Sequence, residues 1–243
     1  MKGKVSLQIN MHASDLRYVV HTLPHQVRQW QNQVDRIVIT IDDFNSRSGK
    51  YRGTGYEANF SGLRKFVQGI CDSCEKVTSH IVDYSEQARA LAKERFFPRA
   101  SSYPNQAADG GPFHAYFCGI LEADTRYVLH IDSDMMFGGG SQTWISEAID
   151  WFDRSPTTVF VSPFPGPPRR DGLLVGQHSA LYGVNRIPEP ARVEVPYPAY
   201  RFKSVSTRVL MLDRERLASA FPDLDITAPS LARQTRARLF AQN

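Results

Sequence analysis

The segment Tyr127-Val128-Leu129-His130-Ile131-Asp132-Ser133-Asp134 is an apolar run that ends in two acidic residues. A short, continuous run of this kind is typical of a strand that is buried on both faces of a parallel sheet. In open α/β sheets, ligands bind at the carboxyl ends of the strands. We therefore expect Asp132 and Asp134 to lie at a ligand-binding edge.

Strand and helix signals alternate along most of the chain. Strand-like runs rich in apolar and β-branched residues lie at 5–10, 36–41, 77–82, 158–161 and 207–212. Helical patterns lie between or after them, at 19–33, 63–74, 85–95, 112–122, 142–154 and 214–220. The alternation predicts an α/β fold with a doubly wound, mostly parallel, mixed sheet and helices on both faces.

The composition bounds the class of protein. With 243 residues, of which 42% are hydrophobic and 22% charged, the chain suits a single globular domain, 1–243. Its net charge of +4 comes from lysines and arginines spread along the sequence, so we expect a mildly basic surface and no nucleic-acid partner. No run approaches the roughly 20 apolar residues of a transmembrane segment.

Cysteine usage and the N-terminal residues bear on the compartment. Cys71, Cys74 and Cys118 cannot form a full disulfide framework, and no apolar leader follows Met1. These features predict a cytoplasmic protein. The basic amphipathic segment 231–240 favours a short solvated helix, and peripheral contact with an anionic membrane is the alternative.

The spacing of Asp132 and Asp134 predicts a metal site. Two carboxylates that leave a strand one residue apart point toward one space, and hard oxygen ligands of this kind suit Mg²⁺ or Mn²⁺. An ion held by two protein ligands keeps open positions for substrate oxygens and can neutralise a departing diphosphate. On its own, Asp-x-Asp is also common in solvated loops.

A second acidic pair, Asp42-Asp43, closes the β-branched run 36–41. If the two strands are neighbours, four carboxylates gather at one edge, where their repulsion calls for a cation or for hydrogen-bond donors. The alternative for a single acid at such a place is the capping of a helix or turn. Because two acidic clusters follow two strands, we favour a binding site.

This order of elements resembles the inverting family-two glycosyltransferases, whose nucleotide-binding half opens with a strand, ends its next strand in Asp-Asp and reaches Asp-x-Asp later. Roughly the first 140 residues fit the pattern. The resemblance implies a GT-A fold in which 1–140 bind a nucleotide sugar and 141–243 bind the acceptor. It also implies Mg²⁺ or Mn²⁺, a UDP-sugar donor, and an acceptor that is a small molecule, a glycan or a lipid-linked group.

The resemblance assigns residues to the donor site. Asn10, Met11 and His12, at the end of the first strand, would line the pocket of the base. Asp42 or Asp43 would hydrogen-bond that base.

The metal and diphosphate would lie at the later motif. Asp132 and Asp134 would flank the metal, with Ser133 between them at the diphosphate. His178 is a candidate third ligand, because GT-A enzymes sometimes recruit a downstream histidine. A lone histidine is more often a surface or hydrogen-bonded residue.

Small residues recur every fourth position at Gly111, Ala115 and Gly119. This spacing predicts a helix face that closely approaches a sheet or a nucleotide. The family carries a similar pattern, Gly-x-x-x-Ala-Arg-Asn-x-Gly. Tyr116 and Phe117 stand here at its Arg and Asn positions.

An inverting transfer also needs a base that deprotonates the acceptor hydroxyl. In the family, this base belongs to an acidic cluster that opens a late helix, and Asp225 and Asp223 lie about where that cluster would begin. Glu189, Glu194 and Asp171 are the alternatives.

Two other functions remain open. A nucleotidyltransferase would also use strand-end acids and a metal, but residues 11–14, after the first strand, contain no glycine or basic residue for a phosphate loop. A nucleotide-binding protein without turnover is the other alternative, motivated by the replaced Arg and Asn and by the absence of a Glu-Asp pair after Asp225.

Overall fold

The computed structural model describes residues 4–44, 56–107, 111–138, 140–163, 191–193, 199–201 and 207–220. Within these ranges the strands are β1 (Val5–His12), β2 (Arg36–Asp42), β3 (Val77–Ile81), β4 (Tyr127–Asp132), β5 (Phe160–Val161), β6 (Ala191–Val193), β7 (Ala199–Arg201) and β8 (Val209–Asp213). The helices are α1 (Leu16–Trp30), α2 (Tyr56–Ser73), α3 (Glu86–Phe96), α4 (His114–Glu122), α5 (Trp144–Arg154) and α6 (Arg214–Ala220). A turn of 3-10 helix, Ala13–Asp15, joins β1 to α1.

One mixed sheet organises the fold. Its strand order is β3-β2-β1-β4-β8-β5, and β6 pairs separately with β7. The first four strands of that order run parallel, whereas β8 is antiparallel to both β4 and β5. The predicted mostly parallel, mixed sheet is confirmed. The chain moves outward from β1 to β2 and β3, then returns to β4 on the other side of β1. The carboxyl ends of β1 and β4 therefore form a topological switch point, where such sheets bind ligands.

The central strand β1 is buried on both faces, and the two faces differ in chemistry. Leu7 and Ile9 point into a hydrophobic cluster shared with α1, α2 and α5. Ser6 and Gln8 point to the opposite face, because side chains alternate along a strand. There the Ser6 hydroxyl donates to the Ala123 carbonyl at 2.6 Å, just beyond the end of α4.

Two hydrophobic clusters cover the two faces of the sheet. The larger cluster includes Leu129 of β4 and Phe152 of α5. The smaller one includes Val128 of β4, Phe96 of α3 and Leu217 of α6. Burial of a side chain of this size contributes about 1.5–3 kcal/mol. Helices thus pack on both faces, as predicted.

Strand β8 extends the sheet beyond the first 140 residues and is fixed by a buried acid. The Asp213 side chain is fully buried, and its Oδ2 accepts a hydrogen bond from Arg126 Nη2 at 2.9 Å. Arg216 Nε lies 3.3 Å from the same oxygen. The hydrogen bond that Arg126 donates to Asp213 raises the pKa of Arg126. The sheet therefore continues across the predicted boundary between the two halves.

Helix starts differ most from the sequence expectation. Helix α2 begins at Tyr56 rather than near Leu63, because the glycines and polar residues before 63 obscure an apolar face that includes Phe60 and Val67. Helix α4 begins at His114, so Gly111 precedes it and does not share its face. The described helices include none long and apolar enough to cross a bilayer.

The predicted close approach is confirmed at Gly119, where α4 packs on the polar face of the sheet. A Cβ at this position would lie 2.2 Å from Gln8 Nε2 and 2.6 Å from Thr40 Oγ1. Neither side chain can move freely, because Gln8 Nε2 donates to Thr40 Oγ1 at 3.1 Å. Glycine is required here by space.

We expect Gly119→Ala to lower the free energy of unfolding by about 1–3 kcal/mol, because overpacking forces the buried Gln8 and Thr40 to shift. The matched control is Gly69→Ala in α2, where an added Cβ meets nothing within 4 Å. That change should raise stability by about 0.4–1 kcal/mol, since alanine loses less backbone entropy on folding. Urea unfolding measures both, and equal effects would contradict the close approach.

Candidate functional site

The two acidic clusters lie at the same edge of the sheet, with β1 between them. Asn10 is in register with Asp132 on one side and with Thr40 on the other. Two residues further along, His12 pairs with Asp42. Because neighbouring strands lie about 4.8 Å apart, the ends of β2 and β4 are about 10 Å apart. The two acidic strands are thus not neighbours; each flanks β1.

Asp132 is the last residue of β4, and its carboxylate accepts a hydrogen bond from within the protein. Its Oδ1 accepts a hydrogen bond from the Tyr116 hydroxyl at 2.6 Å and lies 3.5 Å from His130 Nε2. The side chain is still 24% exposed, so the carboxylate can be reached from the carboxyl edge. Asp134, two residues on, is exposed.

Ser133 faces the protein. The residue is only 4% exposed, and its hydroxyl donates to Asp15 Oδ2 at 3.0 Å. The Ser133 carbonyl accepts from Thr22 Oγ1 at 2.5 Å, and Gln26 Nε2 donates to the carbonyls of Asp132 and Met135 at 3.0 and 2.9 Å. The turn after β4 is therefore held by α1. The Ser133 hydroxyl donates its proton to Asp15, and the contact of Ser133 with a diphosphate stays a prediction.

The role of α1 was missed at the level of sequence. Gln26 is fully buried, yet it lies on the apolar side of the helix with Leu23, Val27 and Trp30. Thr22, also buried, precedes it by one helical turn. Two polar residues at i and i+4 within an apolar helix face are the signal that could have indicated such a contact.

Asn10 presents a buried donor at the switch point. Its Oδ1 accepts from Gln8 Nε2 at 2.5 Å, and Gln8 Oε1 contacts His130 Nδ1 by a short hydrogen bond. These contacts fix the Asn10 amide with its NH₂ group turned away from Gln8. Among the described residues, Asn10 Nδ2 has no hydrogen-bond partner, although Asn10 is only 8% exposed. A buried donor without a partner costs about 1–3 kcal/mol, so a ligand acceptor here would relieve that cost.

Asp42 is the buried acid at the end of β2. Its Oδ1 accepts hydrogen bonds from the Phe44 amide at 2.9 Å and from the Tyr84 hydroxyl at 2.8 Å. Burial raises the pKa of Asp42, and these two hydrogen bonds oppose the rise. Asp43 is exposed, and its carbonyl accepts a short hydrogen bond from the Tyr56 hydroxyl.

Two predicted base-pocket side chains have other roles. The Nδ1 of His12 accepts from the Ser14 amide at 3.1 Å, capping the 3-10 turn, and its Nε2 lies 3.1 Å from the Phe44 carbonyl. Met11 points into the apolar cluster and is 2% exposed, because it lies between Asn10 and His12 on the opposite face of β1. Its side chain does not reach the site, contrary to expectation.

Two carboxylates of the turn after β4 are available to a metal ion. The described parts of the chain contain no group of three or more His, Cys, Asp or Glu side chains that could hold a metal ion. Asp132 and Asp134 nevertheless supply the hard oxygen ligands that suit Mg²⁺ or Mn²⁺, and an ion there would take further ligands from substrate and water.

His178, Asp223 and Asp225 lie outside the described residues. Gly111 is buried just before α4, and its carbonyl accepts from the Ala107 amide at 2.8 Å.

A groove of about 670 Å³ lies between α2 and the edge strand β3. Its lining residues are Ile41, Glu57, Phe60, Ser61, Arg64, Lys65, Gln68, Ser79 and Ile81. The groove borders Asp42 through Ile41 and contains no residue of the turn after β4. It is therefore separate from the Asp132 end of the site.

No protein-family model and no curated protein matches this chain. Two solved structures to which this chain is similar are the mannosyltransferase PcManGT from Pyrobaculum calidifontis in complex with GDP-Man and Mn²⁺, and glucosyl-3-phosphoglycerate synthase from Mycobacterium tuberculosis in complex with UDP. The match to the mannosyltransferase has 13% sequence identity and a TM-score of 0.38, and it covers 70% of this chain and 36% of the mannosyltransferase chain. The match to the synthase has 11% sequence identity and a TM-score of 0.39, and it covers 88% of this chain and 57% of the synthase chain. This chain thus spans between about a third and just over half of the length of these proteins.

We expect Gln26→Leu to lower the free energy of unfolding by about 1–3 kcal/mol, because buried carbonyls of the turn after β4 lose their donor. Gln29→Leu is the matched control on the same helix, since Gln29 makes a single exposed contact of 3.5 Å to the Ser141 carbonyl. It should change stability by less than about 0.5 kcal/mol. Urea unfolding of both variants provides the measurement. A loss of equal size in the two would show that α1 does not hold the turn through Gln26.

Proposed function

We propose that this protein is a metal-dependent glycosyltransferase, which moves a sugar from a nucleotide-sugar donor to an acceptor hydroxyl with inversion. One observation carries the proposal. Asp42 and Asp132 end the two strands that flank β1, and the unpaired Nδ2 of Asn10 lies at the end of β1 between them. A ligand that reaches both acids must cross about 10 Å of sheet edge. A nucleoside diphosphate has that form, with a base at one end and charged phosphates at the other.

The end near β2 suits the base. The carboxylate of Asp42 accepts hydrogen bonds, and the amide of Asn10 has a donor to offer, so the two together match a group with an N–H beside a carbonyl. Asp43 is exposed beside them and can accept a further hydrogen bond. Burial of Asp42 and Asn10 strengthens such hydrogen bonds, because water competes poorly there.

The end near β4 suits the diphosphate. Asp132 and Asp134 would hold Mg²⁺ or Mn²⁺, which supplies charge neutralisation for the nucleoside diphosphate as it leaves. The hydrogen bonds from Thr22 and Gln26 hold the backbone that carries these acids, so this backbone does not need to reorganise on binding.

The remaining assignments complete the proposal. Residues 1–140 would bind the donor, with a UDP-sugar as the first candidate, and 141–243 would bind the acceptor. Asp225, or Asp223 in its place, would accept the proton of the attacking hydroxyl. His178 would serve as a further metal ligand. A cytoplasmic location also stays a prediction.

The deciding experiment compares Asp134→Ala with wild type for release of nucleotide from a panel of UDP- and GDP-sugars with Mn²⁺ or Mg²⁺. Activity should fall by about 100-fold or more, because the ion loses a ligand and the leaving diphosphate loses its compensating charge. Asp134 is exposed, so the fold should not change. Asp72→Ala removes an exposed acid of the same kind at the end of α2, where its partner is Gln68, and should leave activity unchanged.

Other outcomes identify other functions. Equal activity in wild type and Asp134→Ala would exclude the metal role of this residue. Release of pyrophosphate from a nucleoside triphosphate would indicate a nucleotidyltransferase. Tight nucleotide binding with no turnover on any acceptor would indicate a binding protein.

A further inference from the structure

Tyr116 is the residue of α4 that contacts the acidic end of the site. Its hydroxyl donates to Asp132 Oδ1 at 2.6 Å. Its ring lies 4.5 Å from the His130 ring at an interplanar angle of 42°. A bond of this length from a hydroxyl to a carboxylate is among the stronger hydrogen bonds of proteins.

The His130 ring against which Tyr116 packs is itself fixed. It is 1% exposed, and its Nδ1 makes a short hydrogen bond to Gln8 Oε1. Gln8 in turn donates to Thr40 Oγ1 at 3.1 Å and to Asn10 Oδ1 at 2.5 Å. The rings of Tyr116 and His130 therefore pack beside a row of hydrogen-bonded, buried polar side chains on β4, β1 and β2. This packing leaves Tyr116 little freedom to move away from Asp132.

The two oxygens of the Asp132 carboxylate consequently differ. Oδ1 is engaged by the Tyr116 hydroxyl and lies 3.5 Å from His130 Nε2. Nothing in the described part of the chain donates a hydrogen bond to Oδ2. One oxygen of the Asp132 carboxylate is therefore hydrogen-bonded to Tyr116, and the other is available to a ligand.

We propose that Tyr116 is a positioning residue that orients Asp132: its hydrogen bond to Oδ1 would hold the carboxylate so that Oδ2 is available to a metal ion. This inference rests on the proposed function, since it assumes that Asp132 is a metal ligand. Tyr116 stands where the family that the sequence resembles has an arginine. A neutral donor at this place fixes the carboxylate without adding a positive charge, which would repel the incoming cation.

The test removes only the hydroxyl, with Tyr116→Phe, which keeps the ring against His130. Mn²⁺ is titrated by electron paramagnetic resonance in the presence of saturating UDP and, in parallel, GDP. Partners that orient a metal ligand typically contribute 10- to 100-fold in metal affinity, so we expect the dissociation constant for Mn²⁺ to rise about 10-fold. Nucleotide affinity in EDTA should stay at the wild-type value, because Tyr116 acts on the metal and not on the base.

The matched control is Tyr103→Phe, which removes a buried hydroxyl that lies 3.1 Å from His114 Nδ1, at the start of the same helix. This variant should bind Mn²⁺ as wild type does. Wild-type Mn²⁺ affinity in Tyr116→Phe, or equal losses in the two variants, would overturn the positioning role while leaving the glycosyltransferase proposal in place. Absence of nucleotide-dependent Mn²⁺ binding in the wild-type protein would instead overturn the proposed function, and the positioning role with it.

Discussion

The structure depends on the two-sided burial of β1. Its odd-numbered residues, such as Leu7 and Ile9, anchor the larger hydrophobic cluster, and its even-numbered residues face α4. A buried polar face is stable only when its groups are hydrogen-bonded. Gln8 meets this condition by linking neighbouring strands, and Gly119 makes room for it. Every element of the candidate site is placed relative to this strand.

The polar face of β1 has a functional consequence at its carboxyl end. Inside the sheet, its amide and hydroxyl groups satisfy one another, but the row ends at Asn10, whose Nδ2 has no partner in the described residues. On one side the same face continues to Asp132, and on the other to Asp42. A polar row that leaves the Asn10 donor without a partner at the switch point is suited to receive a polar ligand at that edge.

Hydrogen bonds from two helices hold the acidic turn after β4 in place. It follows the strand as irregular backbone, whose carbonyls need donors when they are buried. Helix α1 supplies them through Thr22 and Gln26, while Tyr116 of α4 holds the Asp132 carboxylate from the other face. Helices from both faces thus converge on one turn. This arrangement keeps a negatively charged segment in place at the carboxyl edge of the sheet.

The sequence by itself determined the α/β alternation, the mixed sheet and the location of both acidic pairs at strand ends, because strand and helix periodicity is local. It also indicated the close approach at Gly119 through the small residues Ala115 and Gly119, although Gly111 lies before the helix and takes no part in that face. Only the tertiary structure decided that β1 separates the two acidic strands, that Ser133 turns toward Asp15, and that Tyr116 reaches Asp132. These facts depend on strand order and on contacts between residues 16 to 118 positions apart in the chain, and no local pattern encodes such pairings.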